Sequence, residues 1–196
     1  MKIGKIRVKR FFWKTLKAIL WCYWIFFIIC FANGMILRNY FYPFKYRQEV
    51  IFYSEYYDLD PALVLSVINA ESGFDSAAES SAGAIGLMQI TPKTADYIAE
   101  RTGAVNYDLT DPDTNIDFGC YYLKYLSNKF ENISTAIVAY NAGEGNVSLW
   151  LEDKSCSEDG ITLIRIPFNE TKVYVKKIEE SFIKYKKLYP LILDKY

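Results

Sequence analysis

The chain has 196 residues, 52% of them hydrophobic and 17% aromatic, with 23 Lys/Arg balancing 23 Asp/Glu. It has no histidine, which excludes Ser-His and Cys-His nucleophilic catalysis and His-ligated zinc, and no GxxxxGK loop to cradle a nucleotide's phosphates. The balanced charge hides two unlike parts: residues 1–50 carry 10 cations and one acid, residues 51–196 carry 13 cations and 22 acids, and the second part is too acidic to suit a nucleic-acid partner.

Seven cations (Lys2, Lys5, Arg7, Lys9, Arg10, Lys14 and Lys17) precede an uncharged run of 20 residues, Ala18 to Leu37. A helix of that length matches a hydrocarbon core of about 30 Å. A buried core helix is a poorer reading, because such a helix has a polar face and this run has none. Only Arg38 and Lys45 follow closely, so the positive-inside rule places the N-terminus in the cytoplasm and the rest outside the cell membrane. The chain then divides into a basic segment 1–17, a single-pass signal anchor 18–37, a linker 38–44 broken by Pro43, and a globular domain 45–196. The competing reading is a signal peptide cleaved at Ala32-Asn33-Gly34, although the apolar run exceeds the usual length of about 7–15 residues. Cys22 and Cys30 fall in the span. Cys120 and Cys156 fall in the domain, where two cysteines make no disulfide framework and read as free thiols.

The domain reads as all-α. Val50, Tyr53, Tyr56 and Tyr57 lie at helical spacing within 45–58. Asp60-Pro61 is a helix start, with an acid at the N-cap and proline in the first turn. The helix that follows, Pro61 to Glu71, is apolar almost all round, so it is expected at the centre of the core and is stopped by Gly73. After a Gly- and Ser-rich stretch, Thr91-Pro92 opens a helix to about Arg101 and Asp111-Pro112 another to about Phe130. Ile133–Ala142 is a short apolar helix ended by Gly143, and Asn146–Leu151 adds a turn or two. Residues 152–165 read as a loop with some extended character, and Glu170–Tyr189 as a long Lys-rich amphipathic helix.

Glu71 is the unusual residue. It ends a helix of Ala, Leu, Val and Ile, where apolar surroundings and the negative end of the helix dipole both disfavour its charge. Both raise its pKa, as a general acid working near neutral pH requires. A frayed, exposed helix end is the alternative that position alone leaves open.

The residues around Glu71 narrow the choice. Glu71-Ser72-Gly73-Phe74, then Ser80-Ser81-Ala82-Gly83-Ala84-Ile85-Gly86-Leu87-Met88-Gln89, then Ile90-Thr91-Pro92 resemble the first motifs of the soluble lytic transglycosylase (SLT) catalytic domain, glycoside hydrolase family 23. Ala139-Tyr140-Asn141-Ala142-Gly143-Glu144-Gly145 is similar to its AYNAGxG motif, and Ile166 to Val175 to its IPxxETxxYV motif. Asn115-Ile116, Gly119 and Tyr122-Leu123 resemble the intervening helix. The resemblance covers residues 43–190. Ser76 replaces a usual proline, and Thr91 a frequent methionine.

The resemblance implies a lysozyme-like fold with Glu71 as catalytic acid/base in a groove. It implies sugar contacts from Ser80, Gln89, Tyr140, Asn141 and Glu170. Gln89 and Asn141 carry donors and acceptors for hydroxyl and acetamido groups, and Tyr140 an aromatic body with a polar tip. The paired-carboxylate glycosidase needs a second acid, but none of Asp75, Glu79, Glu144 and Glu170 stands at a family nucleophile position. The implied reaction uses one acid, with the substrate's own N-acetyl group as nucleophile and a 1,6-anhydro sugar as product. No metal and no cofactor is expected, and the expected partners are peptidoglycan glycan strands and the membrane, with the chain a monomer. A lysozyme-type hydrolase on the same fold is the runner-up, and a non-catalytic wall-binding module stands behind it. The sequons at Asn132, Asn146 and Asn169 are read as coincidence, since the last sits inside a motif. The run Lys172, Lys176, Lys177, Lys184, Lys186, Lys187 is read as a solvated helix face, with anionic wall polymer or lipid as its alternative ligand.

Overall fold

The computed structural model describes residues 2–196, without the side chains of residues 2–12, Lys14 and Ala18. Six of the seven cations read ahead of the apolar run therefore lie outside the described side chains. The chain falls into two units, Met1–Pro43 and Phe44–Tyr196.

The first unit is helix α1, Lys2–Ile36, continued by a π-helical turn, Leu37–Phe41. Thr15–Phe41 is long and apolar enough to cross a membrane. Its large side chains, Trp21, Trp24, Phe26 and Phe27 among them, are exposed. The winding runs on through Arg38–Phe41, where a linker is expected from the sequence. Nothing before Pro43 breaks a helix, and a residue preceding proline is the first one pushed out of helical geometry.

The second unit is built of helices joined by loops. Its elements are α2 (Arg47–Tyr56), α3 (Pro61–Glu71), α4 (Pro92–Thr102), α5 (Pro112–Phe130), α6 (Ile133–Ala142), α7 (Glu144–Glu152), α8 (Asn169–Leu188) and α9 (Pro190–Leu193). No strand forms among the described residues. The expected extended character in 152–165 is a loop without ladder pairing, and isolated bridges occur only at Glu79–Ile85 and Ile85–Ile90.

Helix starts follow cap chemistry. Asp60 accepts from Ala62 N–H at 2.8 Å, Thr91 from Thr94 N–H at 3.2 Å and Asp111 from Thr114 N–H at 3.0 Å, each with proline next in the chain. Asn132, the first sequon asparagine, caps α6 by accepting from the Ser134 and Thr135 amides at 2.8 and 3.1 Å. Gly103 closes α4 in the left-handed conformation, φ 76°.

α3 is buried at every position from Pro61 to Ile68, as its all-round apolar sequence requires. It packs chiefly on α8, antiparallel to it. Two lysines of the run expected as a solvated face fix this packing. Lys186 pairs with Asp60 at 2.7 Å at one end of α3, and Lys177 Nζ donates to the Ala70 carbonyl at 2.9 Å at the other. Lys176 pairs instead with Glu180 along α8's own surface. A further core of Leu126, Phe130, Ala136, Val138, Ala139 and Val147 joins α5, α6 and α7. Cys120 and Cys156 are buried free thiols.

Candidate active site

Glu71 ends α3 where the backbone turns sharply. Gly73 and Phe74 are both left-handed, φ 60° and 69°, and the Phe74 ring is buried. A left-handed phenylalanine is strained, and the surrounding contacts hold it there. The Ser72 hydroxyl provides one, donating to the Leu87 carbonyl at 2.8 Å and accepting from Phe74 N–H at 3.1 Å. It thereby ties the end of α3 to the loop 78–90.

That loop is closed by its own backbone. Ser80 N–H donates to Ala84 O at 2.9 Å, Gly86 N–H to Ala78 O at 2.9 Å, and Ile85 and Ile90 exchange bonds at 3.0 Å. Gly86, φ 81°, lies against α5. A Cβ there would stand 2.3 Å from Asn115 Nδ2 and 2.4 Å from Leu109 O. Asn115 is buried and fully used: it accepts from Met88 N–H at 2.7 Å and donates to Leu109 O at 2.8 Å and Ile85 O at 2.9 Å. Gly119, one turn on, leaves room for the Met88 side chain, which a Cβ would approach to 2.2 Å. The Asn-Ile and Gly spacing noticed in α5 thus serves to seat the loop.

The expected sugar-contacting residues divide into those whose polar atoms are free and those already engaged. The Ser80 hydroxyl accepts from Ala84 N–H at 3.0 Å, so part of its capacity is spent inside the loop. Gln89, left-handed at φ 51°, donates both amide hydrogens inward, to Ala78 O at 3.1 Å and Gly86 O at 3.0 Å. Its side chain then offers a ligand only the carbonyl oxygen, which corrects the expectation of a two-way amide. Tyr140 is half-buried on α6 and donates to the Met88 carbonyl at 2.9 Å, with its ring 5.6 Å from that of Tyr122. Asn141 is half-buried in the last turn of α6. Glu170 is exposed in the first turn of α8.

Burial pushes the Glu71 carboxyl up to about 7, against the opposing influence of Tyr174 and Lys177. Tyr140 and Tyr174 both face it, and burial together with the Glu71 charge pushes their hydroxyls well above the ordinary tyrosine range. The Tyr174 hydroxyl is buried against Glu71 but makes no hydrogen bond of normal geometry. Reading the sequence for site residues passed over Tyr174 and Lys177. Their places one and two turns beyond Glu170, on the face of α8 that meets α3, carry the signal.

The other acids are elsewhere. Asp75 and Glu79 are exposed, and Asp75 caps a turn by accepting from Ala77 N–H at 2.9 Å. Glu144 is held by Lys129 at 2.8 Å and the Tyr125 hydroxyl at 3.0 Å, and these partners keep its carboxyl below the usual range despite some burial. A pocket of about 300 Å³, lined by Lys93, Thr94, Tyr97, Tyr122, Gly143, Glu144 and Gly145, adjoins Pro92 and the end of the Ala139–Gly145 motif. A larger hollow of about 700 Å³, lined by Leu59, Leu63, Ile137, Ile178 and Phe182 among others, includes none of the expected site residues. Among the described residues no three His, Cys, Asp or Glu side chains are grouped to hold a metal ion.

The family model of the transglycosylase SLT domain matches residues 48–161. The chain belongs to the transglycosylase SLT family. It is 34% identical over 143 residues to the soluble lytic murein transglycosylase of Salmonella typhimurium, covering 70% of this chain and 22% of that protein. It is 34% identical over 154 residues to membrane-bound lytic murein transglycosylase C of Actinobacillus pleuropneumoniae, covering 66% of this chain and 42% of that one. The 70 kDa soluble lytic transglycosylase of Escherichia coli superposes with a TM-score of 0.66 at 30% identity, over 74% of this chain and 25% of that one. The expected all-α, lysozyme-like SLT fold is the fold observed. The chain spans a quarter or less of the length of its soluble relatives. Membrane-bound relatives and the apolar Thr15–Phe41 helix both fit membrane anchoring of this SLT protein.

Proposed function

We propose that this SLT protein is a peptidoglycan lytic transglycosylase that cleaves the β-1,4 bond between N-acetylmuramic acid and N-acetylglucosamine. The observation that carries the reading is Glu71: an enclosed carboxyl with a pKa near 7 and no carboxylate partner beside it. Half-protonated near neutrality, it donates a proton to the glycosidic oxygen and takes one back later in the same cycle. The substrate's N-acetyl group attacks the anomeric carbon as the leaving oxygen is protonated. Glu71, now a carboxylate, removes the proton of the C6 hydroxyl, whose oxygen attacks the anomeric carbon and displaces the N-acetyl oxygen, closing the 1,6-anhydro ring without consuming water.

Tyr174 supports that middle state. Its buried hydroxyl has no other partner among the described residues and is free to donate to Glu71 once the carboxyl ionises. Tyr140 is not free in this way, because its hydroxyl already serves Met88. Sugar contacts fall to Ser80, Gln89 through its carbonyl oxygen, Tyr140, Asn141 and Glu170. No metal and no cofactor enters the scheme.

The membrane arrangement completes the proposal. Residues 1–17 lie in the cytoplasm, 18–37 span the membrane once, 38–44 lead out, and 45–196 work outside as a monomer. Protease added outside wall-less cells then digests the domain and spares the N-terminus. A mature chain starting near Gly34 would instead show a cleaved signal.

The products test the chemistry. An intermediate captured by its own C6 hydroxyl benefits from an effective molarity of about 10⁵ M or more when well oriented, against which bulk water competes poorly. Digestion of purified peptidoglycan therefore releases fragments ending in 1,6-anhydro-N-acetylmuramic acid, one water lighter than hydrolytic fragments. Mainly reducing muramic ends would make the protein a lysozyme-type hydrolase.

A further inference from the structure

We propose that the outward face of α2, built on Phe52 and Tyr56, rests in the headgroup layer of the bilayer and holds the SLT domain at the membrane surface. The proposal rests on the membrane-anchor reading.

α2 is turned inside out relative to an ordinary surface helix. Its buried face carries Val50 and Ser54, while Phe52 is 59% and Tyr56 70% exposed on the other. The exposed rings are ordered. Phe52 stacks on Tyr56 with centroids 6.2 Å apart, and Tyr53 on Tyr57 at 6.5 Å. Edge contacts join the two rows, Phe52 to Tyr53 at 5.0 Å and Tyr56 to Tyr57 at 4.8 Å, and Tyr121 extends the plate onto α5. The inner row is fixed from behind. Tyr53 donates to Asp113 at 3.0 Å and Tyr57 to Asp117 at 2.7 Å. The outer row is thus presented to solvent on a rigid support, and contiguous exposed apolar surface of this kind marks an interaction site.

Chain length and chemistry identify the occupant as lipid. The apolar helix ends at Phe41, and only five residues, Tyr42–Tyr46, lead to Arg47, a reach of at most about 22 Å. An anchor in the bilayer therefore delivers α2 close to headgroup depth, where tethering makes even a weak surface contact effective. Aromatic side chains concentrate in that layer. Lys45 and Arg47 precede the face, and four acids border it: Glu55 and Asp58, paired with Lys195 and Lys124, and Asp113 and Asp117, which accept from Tyr53 and Tyr57. A rim so nearly balanced in charge gives anionic lipid no cationic site. It accepts the ammonium of a zwitterionic headgroup, which is attracted to carboxylates and to ring faces alike. A glycan strand also stacks on aromatic rings, and the Tyr56 hydroxyl and the bordering carboxylates would serve it. But the hydroxyls of Tyr53 and Tyr57 are committed to aspartates and Phe52 has none, and the short tether to the apolar helix favours lipid.

The test uses the full chain in phosphatidylethanolamine–phosphatidylcholine vesicles. Cys22 and Cys30 are replaced by alanine, and a nitroxide is placed at Gln48→Cys, on the same exposed side of α2. A control label goes at Asn128→Cys, at the far end of α5. Collision rates with lipid-soluble oxygen and with a water-soluble nickel chelate report depth. The Gln48 position is expected to favour oxygen severalfold over the Asn128 position, and the double substitution Phe52→Ser with Tyr56→Ser to abolish that difference. Equal, water-like values at both positions in a chain that floats with the vesicles overturn the proposal and leave the anchor intact. A chain that does not float overturns the anchor reading itself. Shielding of the Gln48 label by soluble glycan strands, without any by lipid, assigns the face to carbohydrate and also overturns the proposal.

Discussion

Lys177, on α8, donates to the carbonyl of Ala70, 2.9 Å away, and so places a cation at the C-terminal end of α3 one residue before Glu71. It opposes the effect of burial on the Glu71 carboxyl, as Tyr174 does. Removing the charge with Lys177→Met raises the Glu71 pKa further. The acid form is the one that starts the reaction, so activity falls as pH rises through about 7, and in Lys177→Met this basic limb moves to higher pH. Lys177→Arg keeps the limb in place. The pH profile of kcat/KM on peptidoglycan decides this. A purely structural role lowers activity without moving the limb.

Glu71→Gln keeps the side chain's shape and removes its proton. If Glu71 alone serves as acid and base, turnover drops by at least about 10²–10⁴-fold, with the helical circular dichroism unchanged. Asp75→Asn, Glu79→Gln and Glu144→Gln each keep much of the activity, because the first two are exposed and Glu144 is engaged with Lys129 and Tyr125. Equal damage from any of the three, in a folded protein, contradicts a one-acid mechanism.

The same substitution has a stability signature of opposite sign. Glu71 titrates near 7 in the folded protein and near 4.5 when unfolded, so the folded state binds more protons between those values. Folding stability therefore falls as pH rises from about 4.5 to 7 and stays lowered above it. The shift corresponds to at most about 3 kcal/mol, less what water at the site screens. Glu71→Gln, which cannot ionise, is expected to lack this loss and to be more stable than the parent at pH 8, while differing little at pH 4. Denaturant melts at the two pH values measure it, and a pH-independent difference counts against the raised pKa.

Asn115 holds the loop 78–90 through hydrogen bonds to Met88 N–H and Ile85 O and ties it to Leu109 O with a third. Asn115→Leu keeps the branched shape, with somewhat larger volume, but leaves those backbone groups buried and unpaired, at about 1–3 kcal/mol each where water cannot enter. A loss of several kcal/mol in urea unfolding is expected, with activity falling more than stability alone explains, because Met88 also carries Tyr140. Gly86→Ala is expected to act the same way, since its Cβ would overlap Asn115 Nδ2 and its φ of 81° disfavours any side chain. A variant with normal stability would separate the loop from α5 in function.

The local elements were legible in the sequence because they rest on local rules. Asp60-Pro61, Thr91-Pro92 and Asp111-Pro112 announce their helices by cap chemistry, which needs only neighbouring residues. The burial of α3 follows from an apolar surface on all sides, and Glu71 stands out because it interrupts that surface. The SLT motifs fixed which loop and which helices surround it. What the sequence could not decide was how groups far apart in the chain share their hydrogen bonds. Gln89 looks like a free amide until Ala78 and Gly86 are seen to use both its hydrogens. The lysines of α8 look alike until packing against α3 sends Lys186 to Asp60 and Lys177 to Ala70 and leaves Lys176 on the surface with Glu180. The pKa of Glu71 is of the same kind. Its direction follows from an apolar helix end, but its place near 7 is the effect of burial less what Tyr174 and Lys177 take back, two residues more than 100 positions away in sequence and brought beside it only by the packing of α8 on α3.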